Sequence, residues 1–220
     1  MRETFTSDLD ELKLQVEVMA LKVDEALSCA TRVLESGDEG LAREVIAGDD
    51  EIDSMLVSLT EKCYEILGRQ NPVASDLRFI VSTLRTISDL ERVGDLCLRI
   101  VKMAPEQTQM ASSEETFSIL RAMASEAKVL FNTAIRSWAT QDLRLAVSLE
   151  SRDDAMDAFN DRLAKAILHL QGPDAVPVAV STVLAGRAFE RIADHSVMIG
   201  ERMRYLLTGD VHSLSKEVGP

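Results

Sequence analysis

From Leu9 to Val33 an apolar residue recurs at steps of three and four: Leu9, Leu12, Val16, Met19, Val23, Ala26, Ala30 and Val33. Such steps keep side chains on one face of a helix that turns every ~3.6 residues. A seam this long admits few folds, because its apolar stripe must lie against other helices. Ser36-Gly37 ends the segment, with Gly37 suited to a left-handed C-cap. A second helix is expected from about Asp38 to Leu67, able to bend at Gly48 and stopped by Gly68 and Asn71-Pro72. A third is expected from about Ala74 to Ala104, closed by Pro105. Pro105 to Ser113 reads as a polar linker. The fourth helix starts near Glu114, capped by Ser112 or Ser113, and continues to about Thr140. The fifth covers about Asp142 to Leu170, ended by Gly172-Pro173, and the sixth about Ala175 to Leu207, ended by Gly209. Long helices joined by short turns are antiparallel neighbours. The expected fold is all-α: tandem antiparallel three-helix bundles over residues 1–105 and 114–210, then a polar tail, 211–220.

Composition agrees. Hydrophobic residues make up 46% of the 220, enough for a sizeable core, while aromatics reach only 4%, with Trp138 the single tryptophan. Sheets favour aromatic and β-branched residues; helices favour the Leu, Ala, Glu and Arg that are abundant here. The net charge of −13 opposes binding to nucleic acid or an anionic membrane. It favours cations and basic protein patches as partners, and argues against a direct anion pocket unless bound metal reverses the local field. Cys29, Cys63 and Cys97 are odd in number and show no CxxC spacing, so they read as small core hydrophobes of a reducing cytosol. The polar N-terminus lacks a signal-peptide core, and no segment approaches the ~20 apolar residues of a membrane span. A soluble cytoplasmic protein is expected.

The halves echo each other. Asp49-Asp50-Glu51-Ile52-Asp53 on the second helix matches Asp153-Asp154-Ala155-Met156-Asp157 on the fifth. Glu91-Arg92-Val93-Gly94-Asp95 on the third matches Glu190-Arg191-Ile192-Ala193-Asp194 on the sixth. A duplicated three-helix unit explains both. Each motif sets two acids four apart, on one helix face and about one turn from each other. Like charges so placed repel, and something positive must compensate. On the third helix the seam Leu77, Ile80, Leu84 and Ile87 leads to Glu91, which puts that carboxylate at the bundle seam or its edge. On the sixth, Arg187, Glu190, Asp194 and Glu201 form a polar strip bracketed by Val183 and Val197. One reading is a carboxylate cluster for a hard cation such as Mg, Ca, Mn or iron. The other is solvated charge paired with Arg78, Arg92, Arg99, Arg187 and Arg191.

Other chemistry finds little support. The residues three before His169, His195 and His212 are Ala166, Ile192 and Gly209, so the Glu-x-x-His of di-iron bundles is missing. No phosphate-binding glycine loop occurs. His195 follows Asp194 and stands open as a ligand or as an ordinary interior or surface histidine.

The doubled acid motifs in an acidic six-helix chain resemble the PhoU family of phosphate-signalling proteins. The likeness is carried by Asp76-Leu77-Arg78, Asp89-Leu90-Glu91-Arg92-Val93-Gly94-Asp95, Phe189-Glu190-Arg191-Ile192-Ala193-Asp194-His195 and Tyr205-Leu206-Leu207-Thr208-Gly209. It implies a cytoplasmic, often dimeric protein. Its partners would be the ATPase subunit of a phosphate ABC transporter and a sensor histidine kinase. As an adaptor between them, it would restrain uptake and silence starvation genes when phosphate is plentiful. It also implies iron or another hard divalent cation on Asp49, Asp53, Glu91 and Asp95, and on Asp153, Asp157, Glu190 and Asp194. The chain departs from the family pattern where Arg99 and Met198 replace the usual Asn four residues after each motif Asp. Ala175, Val176 and Pro177 replace a second Asp-Leu-Arg. Arg99 stands one turn beyond Asp95, where its cation can replace a metal's charge. The leading expectation is a negative regulator that binds without catalysing; the alternatives are a metalloenzyme built on the carboxylates and a plain helical scaffold.

Overall fold

The computed structural model describes residues 2–69 and 72–214, with side chains from Phe5 onward. The long helices are α1 (Arg2–Ser36), α2 (Glu39–Arg69), α3 (Ala74–Val101), α5 (Glu114–Thr140), α6 (Leu143–Ile167) and α7 (Ala175–Thr208), with a short α4 (Gln107–Ala111) between the halves. No strand occurs among the described residues.

The junctions follow local chemistry. Gly37 takes φ +68° and its N–H donates to Val33 O at 2.8 Å, closing α1. Asp38 then caps α2, its Oδ1 accepting from the N–H groups of Gly40 at 2.7 Å and Leu41 at 3.2 Å. The chain passes through Gly48 as continuous helix and through Gly68 to Arg69, beyond the expected stop. Asn71 lies outside the described residues. Asp142 caps α6 by accepting from Arg144 N at 2.8 Å, and Gln141 before it adopts φ +50°, closing α5 without a glycine. α6 ends at Ile167, short of the expected Leu170, in a tightening turn where the N–H of His169 reaches Ala166 O and that of Leu170 reaches Ile167 O.

Two stretches carry structure of their own. The stretch after α3 is no loose linker: a 3₁₀ turn (Ala104–Glu106) runs into α4, whose Met110 is fully buried. Gln107 Nε2 donates to Glu35 O at 2.9 Å, so the connection also caps the end of α1. The tail's first residues, Val211–Leu214, form a 3₁₀ turn against α7 with Ser213 buried; residues 215–220 lie outside the described set. Ser113 does occupy the N-cap position of α5, but its side chain makes no capping bond.

Within each half the three long helices pack pairwise, α1 with α2 and α3, and α5 with α6 and α7. The sequence repeat is therefore a structural one. Ile52 and Met156, matching positions of the acidic echo, are both buried. The halves are also joined to each other, α3 lying along α7 and α1 against α5, so one apolar core runs through both. Trp138 of α5, fully buried, stacks on Phe79 of α3 with ring centroids 6.0 Å apart. α3 is thus buried on two faces, which explains why Ser82, Thr83 and Thr86 are interior.

Candidate functional site

Ile52 of α2 lies over Gly94 of α3, where an added Cβ would stand 3.4 Å from its Cδ1. That close approach sits inside both motifs of the first half and brings their acids face to face. Glu91 has its pKa raised by burial, then by the charges of Asp95, Asp53 and Asp49, with Arg92 opposing. Asp49 is raised by burial and by Asp53 and Asp95, with Lys102 opposing. The four expected acids of the first half therefore form one electrostatic group. Its paired cation is Arg92, whose Nη1 lies 3.3 Å from Asp95 Oδ2 and whose Nε lies 3.6 Å from Glu91 Oε2. The compensating role expected of Arg99 falls to Arg92 and Lys102.

The second half repeats the plan on α6 and α7. Glu190 is raised chiefly by burial and further by Asp194 and Asp157, while Arg187 lowers it. Arg187 Nη1 donates to its Oε2 at 2.7 Å and Asn160 Nδ2 to its Oε1 at 3.2 Å, so both carboxylate oxygens are engaged. Asp153 stands one turn before Asp157, half-buried, and both Asp153 and Asp194 hold polar or electrostatic contacts of their own. Glu201, expected on the same polar strip as Arg187, Glu190 and Asp194, is buried.

All-oxygen donors suit a hard cation chemically. The geometry does not yet form a shell: among the described residues no three His, Cys, Asp or Glu side chains converge so as to hold a metal ion. Arginine supplies the positive charge in this arrangement, and the donors do not fit a cation until those pairs open.

A buried charged joint between the halves went unrecognised in the sequence. Asp89 of α3 is only 5% exposed, and it meets Arg202 of α7, 7% exposed, in a carboxylate–guanidinium pair. Arg202 Nη1 also donates to Arg85 O at 3.0 Å. His195 Nδ1 lies 3.0 Å from the other Asp89 oxygen. With Asp89 a carboxylate, Nδ1 is the donor and Nε2 the acceptor. The His195 pKa is lowered by burial, then by Arg191 and Arg92, against Asp194 and Glu91. It is an interior histidine committed to Asp89. The available signal was Asp89 itself, a charge at helical spacing from the inward Thr86 and Val93 on the face of α3 opposite its seam.

Arg92, Asp95, Leu96 and Arg99 of α3 and Arg191 and His195 of α7 line a cavity of about 130 Å³ between the halves. A groove of about 190 Å³ between α1 and α2, lined in part by Cys29, Val45 and Asp49, adjoins the first acid group.

The PhoU domain family matches residues 16–104 and 120–203, once per half. The phosphate-specific transport system accessory protein PhoU homolog 1 of Mycobacterium tuberculosis is 33% identical over 210 residues, 95% of each chain. Its namesake from Thermotoga maritima is 30% identical over 93% of this chain and 89% of its own. The crystal structure of PhoU from Pseudomonas aeruginosa superposes with a TM-score of 0.89 at 29% identity, covering 94% of this chain and all of that one. The phosphate transport system regulatory protein PhoU from Streptococcus pneumoniae gives 0.85 at 27% identity, over 94% of this chain and 98% of its own. A doubled match of this extent, on a fold whose halves repeat the same acid pairs, leaves one conclusion: the chain belongs to the PhoU family.

Proposed function

We propose that this protein is a cytoplasmic regulator of phosphate uptake, an adaptor between the ATPase subunit of a phosphate ABC transporter and a sensor histidine kinase. The observation that carries the reading is kinship over nearly the whole chain with proteins named as accessory and regulatory components of phosphate transport. It acts by docking rather than catalysis. The acidic surface complements basic partner patches, and the one buried histidine is tied to a carboxylate already held by arginine, not to a nucleophile. No helix among the described residues is long and apolar enough to cross a membrane. The apolar strip Leu14, Val18 and Leu21, exposed on α1, supports a homodimer. Deleting the gene is expected to deregulate phosphate uptake and switch on starvation genes in replete cells. A deletion strain indistinguishable from the parent on both counts removes the reading.

Burial of Asp49, Glu91 and Glu190, with neighbouring carboxylates adding to it, favours a second role for the acids. Asp49, Asp53, Glu91 and Asp95, and Asp153, Asp157, Glu190 and Asp194, would hold a hard cation, iron or Mg, Mn or Ca, once Arg92 and Arg187 swing away. The cation would then supply the compensation that the arginines supply now. Protein purified without a tag is expected to carry metal that Glu190→Gln with Asp194→Asn removes from the second half. Unchanged metal content in that variant rejects the assignment.

A further inference from the structure

The cavity between α3 and α7 has a lining rich in positive charge. Three arginines face it, Arg92, Arg99 and Arg191, against a single lining carboxylate, Asp95. Arg92 is shared with Asp95 and Glu91. Among the described residues, Arg99 and Arg191 stand in no ion pair. Guanidinium groups gathered without matching acids repel one another, and a multiply charged oxyanion relieves that repulsion while accepting their forked donors. The net charge of −13 therefore does not set the local field.

The floor of the cavity adds selectivity. Leu96 and His195 are buried there. Asp89 fixes the ring by accepting a hydrogen bond from Nδ1–H at 3.0 Å, which leaves Nε2 an acceptor. Asp95 is a second acceptor on the wall. Acceptors in an anion site reward an anion that still carries a proton and penalise one that does not. Near neutral pH hydrogen phosphate keeps an O–H; sulfate has none. A volume of about 130 Å³ leaves room for one small tetrahedral ion.

We propose that Arg92, Arg99 and Arg191, with His195 and Asp95 as acceptors, form a binding site for one inorganic hydrogen phosphate ion at the joint between the halves. This site shares Arg92 and Asp95 with the edge of the first carboxylate cluster and stands whether or not the adaptor reading holds. The test is calorimetric titration of the full chain with inorganic phosphate, in chelator and at constant ionic strength set with chloride. One saturable site per chain is expected. Arg99→Gln and Arg191→Gln should each weaken it by at least about tenfold, with lysine at either position restoring part. Sulfate should bind distinctly more weakly. Both guanidinium groups are exposed, so circular dichroism and the melting temperature of the variants should match the parent. Absence of saturable phosphate binding overturns the proposal, as does binding that both glutamine variants leave unchanged. Equal affinity for sulfate overturns the acceptor role of His195 and Asp95.

Discussion

Asp89 and Arg202 are buried together as each other's counter-charge, and removing one takes that counter-charge from the other in the interior. Asp89→Leu is expected to destabilise the chain by about 3–5 kcal/mol in urea unfolding, and Asp89→Leu combined with Arg202→Met to recover most of that loss. A double variant as unstable as the single one would show that packing, not charge, governs the site. The cysteines make a second case. Burial raises the Cys63 thiol to about 12 and raises Cys97 as well, while Cys29 is only half-buried beside the α1–α2 groove. At neutral pH in native buffer a maleimide should modify Cys29 alone, with the other two reacting only in denaturant. Mass spectrometry of tryptic peptides reads the outcome. At this scale the sequence was an uneven guide. Ile80 and Ile87 announced their burial through spacing, and the acid pairs their faces. Asp89 did not, because a charge inside a motif of exposed charges looks like one more of them until α7 is laid against it.

Helices were the most legible level, since the seam of α1, the Gly37 cap and the Asp38 and Asp142 caps are all local chemistry. What the pattern concealed is closeness of approach. α7 passes over α6 so near that a Cβ on Gly200 would stand 2.5 Å from Leu149 Cδ1 and 3.1 Å from Ala146 O. The backbone oxygen cannot rotate aside, so Gly200→Ala should cost about 1–3 kcal/mol of stability. Gly94→Ala meets Ile52 at an ordinary 3.4 Å, and its counterpart in the second half is already Ala193. It should be neutral or stabilising by up to about 1 kcal/mol through helix propensity. Thermal melts of the two variants side by side decide whether the helices approach more tightly at Gly200 than at Gly94. The ordered α4 was missed for a related reason: one buried methionine among polar neighbours carries no period.

Taken whole, the chain carries acids in surplus, and three of them lose stability to burial first and to neighbouring carboxylates second. Glu91, Glu190 and Asp49 have folded pKa values above their ordinary 4.5, 4.5 and 3.8. A raised folded pKa means the native state binds protons more readily than the unfolded one. With chelator present, stability should therefore rise as pH falls from neutral through those raised values, and the gain should be complete below the ordinary ones. These side chains remain partly solvated, so a combined effect of about 1 kcal/mol is expected, a rise in melting temperature of about 2–4 °C. A melting temperature that falls steadily from pH 7 toward pH 5 would contradict it.

The charged joint between α3 and α7 also bears on which molecules this protein can be mistaken for. Along these helices each residue has a counterpart 99 positions away: Asp89 corresponds to Ala188, and Arg202 to Met103. Two first halves placed together would set Asp89 against methionine, and two second halves would set Arg202 against alanine. Either pairing strands a charge in the interior. The duplicated halves are thus no longer interchangeable, and the joint works as a lock that admits only the first-with-second arrangement. Fragments left by proteolysis, or halves exchanged between chains during synthesis, would be refused at the same place.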